Sequence, residues 1–163
     1  MPFETKMDIS KLISTIRSEI KLRVILVKGW GVFDEQNFFG DQGVLVVEGA
    51  PYESLFPFVK AIIHHGGIGT ISACLRAGKP FLSCPVLYPL GDQFFWSKIG
   101  AQKGVGLGPI PLKKATVPIV LKAVYQLVND ESLHINAQSI KVKLSMEDGV
   151  KEAIRIIEGD SQN

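Results

Sequence analysis

The chain has few cysteines, no marked excess of charge and no long apolar run. Its two cysteines, Cys74 and Cys84, lack metal-type spacing, and we expect both thiols to be reduced and buried. Because 18 Lys and Arg residues nearly balance 16 Asp and Glu residues, no basic surface for nucleic acid is predicted. No apolar run reaches the roughly 18 residues of a membrane span, and the N-terminus resembles neither a signal peptide nor a transit peptide. These absences predict a cytoplasmic protein.

The chain does contain enough apolar sequence for one globular domain. Hydrophobic residues make up 46% of its 163 residues, and we find no internal repeat, low-complexity segment or linker. We therefore expect a single domain that spans residues 1–163.

Strands and helices are predicted to alternate. Nearly continuous apolar runs, typical of parallel strands covered on both faces, occupy residues 22–30, 43–49, 59–67 and 80–85, and a short strand is predicted at 104–108. Helices are predicted after the N-cap Asp8, from Thr70 to about Ala77, and over residues 92–103, 117–128, 132–145 and 148–158. This rhythm predicts an α/β fold with a doubly wound parallel sheet. Because such folds usually open with a strand and this chain opens with a helix, we expect the first strand to be absent or supplied by another chain.

The segment "AIIHHGGIGT", residues 61–70, is the strongest functional signal. It reads as a strand that turns into a helix, and ligands of open α/β sheets bind outside the carboxyl ends of strands. Gly66, Gly67 and Gly69 let a ligand approach the backbone, and the amides that open a helix favour an anion. A histidine and the Thr70 hydroxyl add hydrogen-bond donors. The segment predicts a phosphate site; the alternative is a glycine turn that only permits tight packing.

Other ligands fit this segment less well. A dinucleotide fingerprint would have its third glycine at Ser72, and no acidic residue closes a strand about 20 residues on, so an NAD-binding oxidoreductase domain is disfavoured. The neighbouring histidines His64 and His65 point to opposite faces of a strand, and the remaining histidine, His134, is far along the chain. We therefore expect no metal site.

A second polar pair follows a later strand. In "PLGDQFFW", residues 89–96, Asp92 and Gln93 are expected at the same edge of the sheet as the glycine segment. A carboxylate beside an amide suits the adjacent hydroxyls of a pyranose, whereas the alternative is that Asp92 only N-caps a helix. Together, the two segments favour a sugar next to a diphosphate. Trp30, at a predicted strand end, either reaches a nucleobase or belongs to the core.

Three linked segments carry a resemblance to a known family. "HHGGIGTISACLRAGKP", "GDQFFWSKIGAQKGVG" and "MEDGV" resemble the C-terminal donor-binding domain of family 1, GT-B-fold glycosyltransferases, nearest to the sterol 3-beta-glucosyltransferases and the bacterial antibiotic glucosyltransferases. "LRVILVKGW" and "VEGAPYESLFPFV" resemble the preceding parts of that domain, so the resemblance covers nearly the whole chain. It implies the Rossmann-like half of a GT-B enzyme. The implied reaction is inverting transfer of a hexose, usually glucose from UDP-glucose, to a lipid, sterol or small-molecule hydroxyl without metal or other cofactor.

The resemblance also assigns roles to residues that contact the diphosphate. His65 aligns with the family's diphosphate-binding histidine, and Gly67, Gly69 and Thr70 are implied to line the rest of the phosphate site. His64 then faces the opposite way and is expected to be structural.

The sugar and the nucleobase fall on two other segments. The resemblance implies that Asp92 and Gln93 hold the sugar hydroxyls and that the nucleobase lies near Pro51, Tyr52 and Leu55.

Departures from the family pattern affect the nucleoside and the sugar. The glutamate with which many members hold the ribose is replaced by Ala73, and Tyr52 and Ser54 stand where the sterol branch tends to have His and Trp. The loop between Cys84 and Asp92 is about three residues longer than usual. Ribose recognition is therefore expected from other residues, and the base need not be uracil.

The acceptor half of the family has no counterpart in this sequence. Family members carry the catalytic base in an N-terminal acceptor domain, so we expect the isolated chain to bind donor at best, with that domain supplied in cis or as a separate chain. The alternative is a non-catalytic donor-binding or regulatory subunit. Ile154, Ile156 and Ile157 of the final helix are expected to be partly exposed and to favour self-association.

Overall fold

The computed structural model describes residues 7–28, 38, 40–89 and 91–159. Its helices are α1 (Ile9–Thr15, continued by a π-helical turn, Ile16–Ile20), α2 (Tyr52–Leu55, continued by a 3₁₀ turn, Phe56–Phe58), α3 (Ile68–Ala77), α4 (Asp92–Gln102), α5 (Val117–Asn129), α6 (Glu131–Ser145) and α7 (Gly149–Gly159). A further 3₁₀ turn covers Leu112–Lys114. Its strands are β1 (Val24–Val27), β2 (Val44–Val47), β3 (Ile62–His64) and β4 (Phe81–Ser83). The order of elements therefore follows the predicted alternation.

Local sequence signals account for several helix ends. The Asp8 carboxylate accepts a hydrogen bond from the Lys11 amide at 2.9 Å, which confirms Asp8 as the N-cap of α1. Asp130 caps α6 in the same way through the Ser132 amide. α3 ends at Ala77 and is capped by Gly78, whose φ of +68° lies in the left-handed region that a glycine after a helix adopts at low cost.

The strands are parallel, which confirms the α/β class. β1 pairs with β2 and β3 pairs with β4, with Ile62 opposite Phe81 and His64 opposite Ser83. The predicted strand at 104–108 is reduced to one bridge, in which Gly106 pairs with Phe81. Within the described residues these parallel strands form two sheets of two strands each.

Both faces of β4 are covered, as the apolar pattern predicts. Phe81 and Leu82 are fully buried and belong to different core clusters, because successive strand residues point to opposite faces. Leu82 packs with Leu12 and Ile16 of α1 and with helix α5, whereas Phe81 packs with α3. Burial of each of these side chains contributes roughly 1.5–3 kcal/mol.

Each of the other strands carries one exposed apolar residue in the part of the chain that the structure describes. Ile25, Leu45 and Ile63, one in each of β1, β2 and β3, are 36%, 55% and 43% exposed. The expectation of strands covered on both faces is therefore wrong for these three. Their apolar runs are continuous, but it is the neighbouring residues Val24 of β1 and Ile62 of β3, on the opposite faces, that pack in the core clusters.

The two cysteines are buried and free, as expected. Burial raises the pKa of Cys74 to about 12 and that of Cys84 to about 11, so both remain protonated thiols at neutral pH. Among the helices in the described part of the chain, none combines the length and apolar character that crossing a bilayer requires.

Candidate functional site

The turn between β3 and α3 is built around Gly66. Its φ of +94° is in the left-handed region, which glycine adopts without the cost that a side chain brings. The Gly66 amide donates a hydrogen bond to His64 Nδ1 at 2.9 Å. Gly67 follows in an extended conformation as the N-cap, so α3 begins at Ile68, two residues before the predicted start at Thr70.

The N-terminus of α3 presents free backbone donors. The first helical bond joins the Ile71 amide to the Gly67 carbonyl, which leaves the amides of Ile68, Gly69 and Thr70 without helical partners. No side chain caps this end. A Cβ built on Gly69 would have no atom within 4 Å, so open space adjoins the amides. Such an end attracts an anion through its N–H groups and the helix dipole.

His65 lies beside this helix end. Its side chain is exposed, and a Cβ on Gly67 would come within 2.5 Å of His65 Nε2, so the glycine makes room for the ring. Thr70, in the first turn, is only 9% exposed. The structure therefore brings together the four residues proposed for the phosphate, with His65 and Gly69 on the accessible side and Thr70 largely buried.

His64 occupies a different environment from its neighbour. Its ring is partly buried and lies 5.3 Å from the ring of Phe81, and burial, followed by the charge of nearby His65, lowers the pKa of His64 to about 4. The imidazole is therefore neutral near pH 7. The expected division of the two histidines into an accessible and a structural one agrees with this geometry.

Asp92 and Gln93 open helix α4. The N-cap is Gly91, so the alternative that Asp92 serves as N-cap is wrong: its exposed carboxylate accepts from the Gln93 amide at 2.9 Å in the first turn. The Gln93 side-chain oxygen accepts from the amides of Val86 and Leu87 at 3.0 and 3.4 Å. Gln93 thus anchors the long loop after β4, and its side-chain NH₂ is the group left to contact a sugar.

The glycine turn contacts the start of α4. A Cβ on Gly66 would lie 2.6 Å from Ser97 Oγ and 2.9 Å from the Gln93 carbonyl oxygen. Ser97 is fully buried and donates its hydroxyl proton to that same carbonyl. The expectation that Asp92 and Gln93 lie near the glycine segment is therefore confirmed. Ser97 is not among the residues predicted for the site, although a serine four residues after Gln93 has the spacing of a helical side-chain to backbone hydrogen bond.

The segment proposed for the nucleobase forms α2. Pro51 is its N-cap, and Tyr52, 38% exposed, stacks on Phe56 with ring centroids 4.7 Å apart. Leu55 packs against the core cluster that contains Phe81, and α2 contacts α3. Trp30, the other aromatic residue considered for the base, lies outside the described residues.

No group of three or more His, Cys, Asp or Glu side chains lies together as a metal site within residues 7–28, 38, 40–89 and 91–159.

No protein-family model matches the chain. It is 32% identical over 154 residues to the sterol 3-beta-glucosyltransferase UGT80B1 of Arabidopsis thaliana and 35% identical over 167 residues to the sterol 3-beta-glucosyltransferase of Aspergillus fumigatus. Both comparisons cover 94% of this chain, which spans only 24% and 11% of the two relatives.

A solved structure extends the similarity to the fold. The glycosyltransferase VinC, whose structure is a complex with DTDP, superposes on 94% of this chain with a TM-score of 0.74 and 24% identity. The chain covers 38% of VinC. The resemblance expected from the three linked segments is therefore confirmed in sequence and in fold.

Proposed function

We propose that this chain, homologous to the sterol 3-beta-glucosyltransferases over 94% of its length and folded like part of a GT-B glycosyltransferase, binds a nucleotide sugar and takes part in glycosyl transfer. The observation that carries the proposal is the open N-terminus of α3. Its free amides adjoin His65. Gly66, in the turn that precedes them, packs against Gln93 in the first turn of α4, next to Asp92.

The diphosphate is proposed to bind at the N-terminus of α3. The amides of Ile68, Gly69 and Thr70 donate to phosphate oxygens, and His65 contributes an imidazole donor from the side. The open space at Gly69 supports this assignment, because a phosphate group needs close approach to the backbone. The DTDP in the VinC structure is, like the ligand proposed here, a nucleoside diphosphate.

The sugar and the nucleobase are proposed to lie on either side of the diphosphate. The exposed Asp92 carboxylate accepts hydrogen bonds from hexose hydroxyls and the Gln93 amide donates one, whereas Pro51, Tyr52 and Leu55 border the base. UDP-glucose is the proposed donor, and glucose is the sugar that is transferred. No metal or other cofactor is part of the proposal.

The proposed chemistry is displacement at the anomeric carbon. The oxygen of an acceptor hydroxyl, on a sterol, lipid or small molecule, forms a bond to that carbon as its bond to the diphosphate oxygen breaks. The acceptor proton passes to a base in the acceptor half, which is present in cis or as a separate chain. His65 and the α3 amides stabilise the negative charge that develops on the leaving diphosphate.

Replacing His65 with alanine is expected to weaken binding of UDP and UDP-glucose roughly 10- to 100-fold, because a hydrogen bond to a charged phosphate is lost. Isothermal titration of the 163-residue chain measures this, with NAD as a ligand that is not expected to bind. Gly149→Ala, at the first residue of α7 with no atom within 4 Å of the added carbon, is the control and should bind like the wild type. Equal affinity of His65→Ala and the wild type would contradict the assignment of His65.

A second candidate, a non-catalytic donor-binding subunit that pairs through α7, is favoured by the surface of that helix. Ile154, Ile156 and Ile157 are 48%, 56% and 78% exposed, which is unusual for three isoleucines within one turn. Without its partner the chain is expected to self-associate in sedimentation velocity runs as its concentration rises, and Ile157→Glu is expected to reduce this. A sedimentation coefficient that does not change with concentration would argue against an interface on α7.

A further inference from the structure

Two buried polar atoms beside the site have no role in the proposed chemistry. Within the described residues, His64 Nε2 and Ser83 Oγ are buried and have no hydrogen-bond partner. His64 and Ser83 are opposite each other in the parallel pairing of β3 with β4, so their side chains leave the same face of the sheet. Ser83 is completely buried. A partly buried imidazole with a buried, unpaired nitrogen requires a reason beyond filling space, because unpaired polar atoms in a core are costly.

The hydrogen bond from Gly66 fixes the tautomer of His64. Because the Gly66 amide donates to Nδ1, that nitrogen carries a lone pair, and the proton of the neutral ring is on Nε2. The Nε2–H group and the Ser83 hydroxyl are then a donor and an acceptor on the same face of the sheet. The backbone bond at Nδ1 holds the ring in one orientation.

The Gly66 amide is the point at which His64 acts on the site. Gly66 contacts the Gln93 carbonyl and Ser97 of α4 on one side and precedes Gly67, the N-cap of α3, on the other. The bond from Gly66 to His64 therefore fixes the peptide that connects the proposed phosphate site with the proposed sugar site.

We infer that His64 is a positioning residue that does not touch the ligand. Its imidazole accepts a hydrogen bond from the Gly66 amide and thereby sets the relative placement of the N-termini of α3 and α4. The effect on ligand affinity rests on the proposed function, whereas the effect on the turn does not. A purely space-filling role for His64 against Phe81 makes the opposite prediction for apolar replacements.

Two substitutions separate these roles. In His64→Asn the side-chain oxygen is attached to Cγ, as Nδ1 is in histidine, so an acceptor for the Gly66 amide is retained. In His64→Leu the volume is retained and the acceptor is lost. We expect His64→Asn to bind UDP within about threefold of the wild type and His64→Leu to bind roughly tenfold more weakly. A space-filling role would give the reverse order, because leucine suits an apolar neighbour better than asparagine.

NMR of the 163-residue chain tests the turn independently of ligand binding. We expect ¹⁵N shifts that show the Nε2–H tautomer at His64, and a Gly66 amide whose hydrogen exchange is slow in the wild type and His64→Asn but fast in His64→Leu. An Nδ1–H tautomer, or equal Gly66 exchange in all three proteins, would overturn the inference. If the wild type does not bind UDP, the proposed function fails and these NMR results still decide the role of His64. If His64→Leu does not fold, the tautomer and the comparison of His64→Asn with the wild type decide it.

Discussion

Replacing Gly66 with alanine is expected to lower the free energy of unfolding by about 2–5 kcal/mol and to abolish nucleotide binding. The φ of +94° is unfavourable for alanine by roughly 1–2 kcal/mol. The added Cβ would also lie 2.6 Å from Ser97 Oγ and 2.9 Å from the Gln93 carbonyl oxygen, and such overpacking typically costs about 1–3 kcal/mol. Because the carbonyl belongs to the backbone of α4, relief requires that helix to move away from the turn. Urea denaturation measures the loss of stability.

Gly69→Ala is the matched control for this substitution. Gly69 lies in the first turn of α3 with no atom within 4 Å of an added Cβ, so the change should leave stability unchanged or raise it by up to about 1 kcal/mol. Its methyl group would occupy the space proposed for the diphosphate, so binding of UDP should weaken although the fold is intact. A Gly66→Ala protein as stable as the wild type would show that the turn and α4 are not tightly packed.

The second large effect is a loss of stability as the pH falls from about 6.5 to about 4. Burial, and then the charge of His65, lowers the pKa of His64 from 6.5 to about 4 in the folded chain. Within this window the unfolded chain binds more protons than the folded chain. The contribution of the neutral His64 ring to the free energy of unfolding is therefore complete above pH 6.5 and is lost as the pH falls to about 4. The difference between the two pKa values corresponds to about 3 kcal/mol at full effect.

Urea denaturation at several pH values measures this dependence. Carboxylates also titrate at the acid end of the window, so the informative quantity is the difference between the wild type and His64→Asn, which has no titratable group at this position. We expect the wild type to lose more stability than His64→Asn between pH 6.5 and 4. Parallel curves for the two proteins would mean that His64 titrates alike in the folded and unfolded chains.

Much of the local structure could be predicted from the sequence. The Asp8 cap, the end of α3 at Ala77 and the parallel α/β class depend on residues a few positions apart or on apolar periodicity, and each is present in the structure. α3 begins two residues before the start that the sequence predicts, because the sequence does not reveal that Gly67, in an extended conformation, already serves as the N-cap.

The sequence also identified the segments of the candidate site but not their connections. It indicated the glycine turn and the Asp92 and Gln93 pair as neighbours, and their contact is present. It did not indicate that the Gln93 oxygen holds the loop at Val86 and Leu87, because that bond joins a helix to an irregular loop six or seven residues earlier. It likewise did not separate the strands into two pairs, since pairing depends on which edges meet in space.

The sequence by itself thus determined the class of fold, the ends of several helices and the residue types at the proposed phosphate and sugar sites. The tertiary structure alone decided that Gly66 packs against Gln93 and Ser97, that His64 accepts the Gly66 amide and that its other nitrogen is buried on the same face as Ser83. The physical reason is the distance along the chain between the interacting residues. Helix caps and periodicity act between residues close in the chain, whereas the packing of the β3 to α3 turn on α4 joins residues about 30 positions apart, which only the folded chain brings into contact.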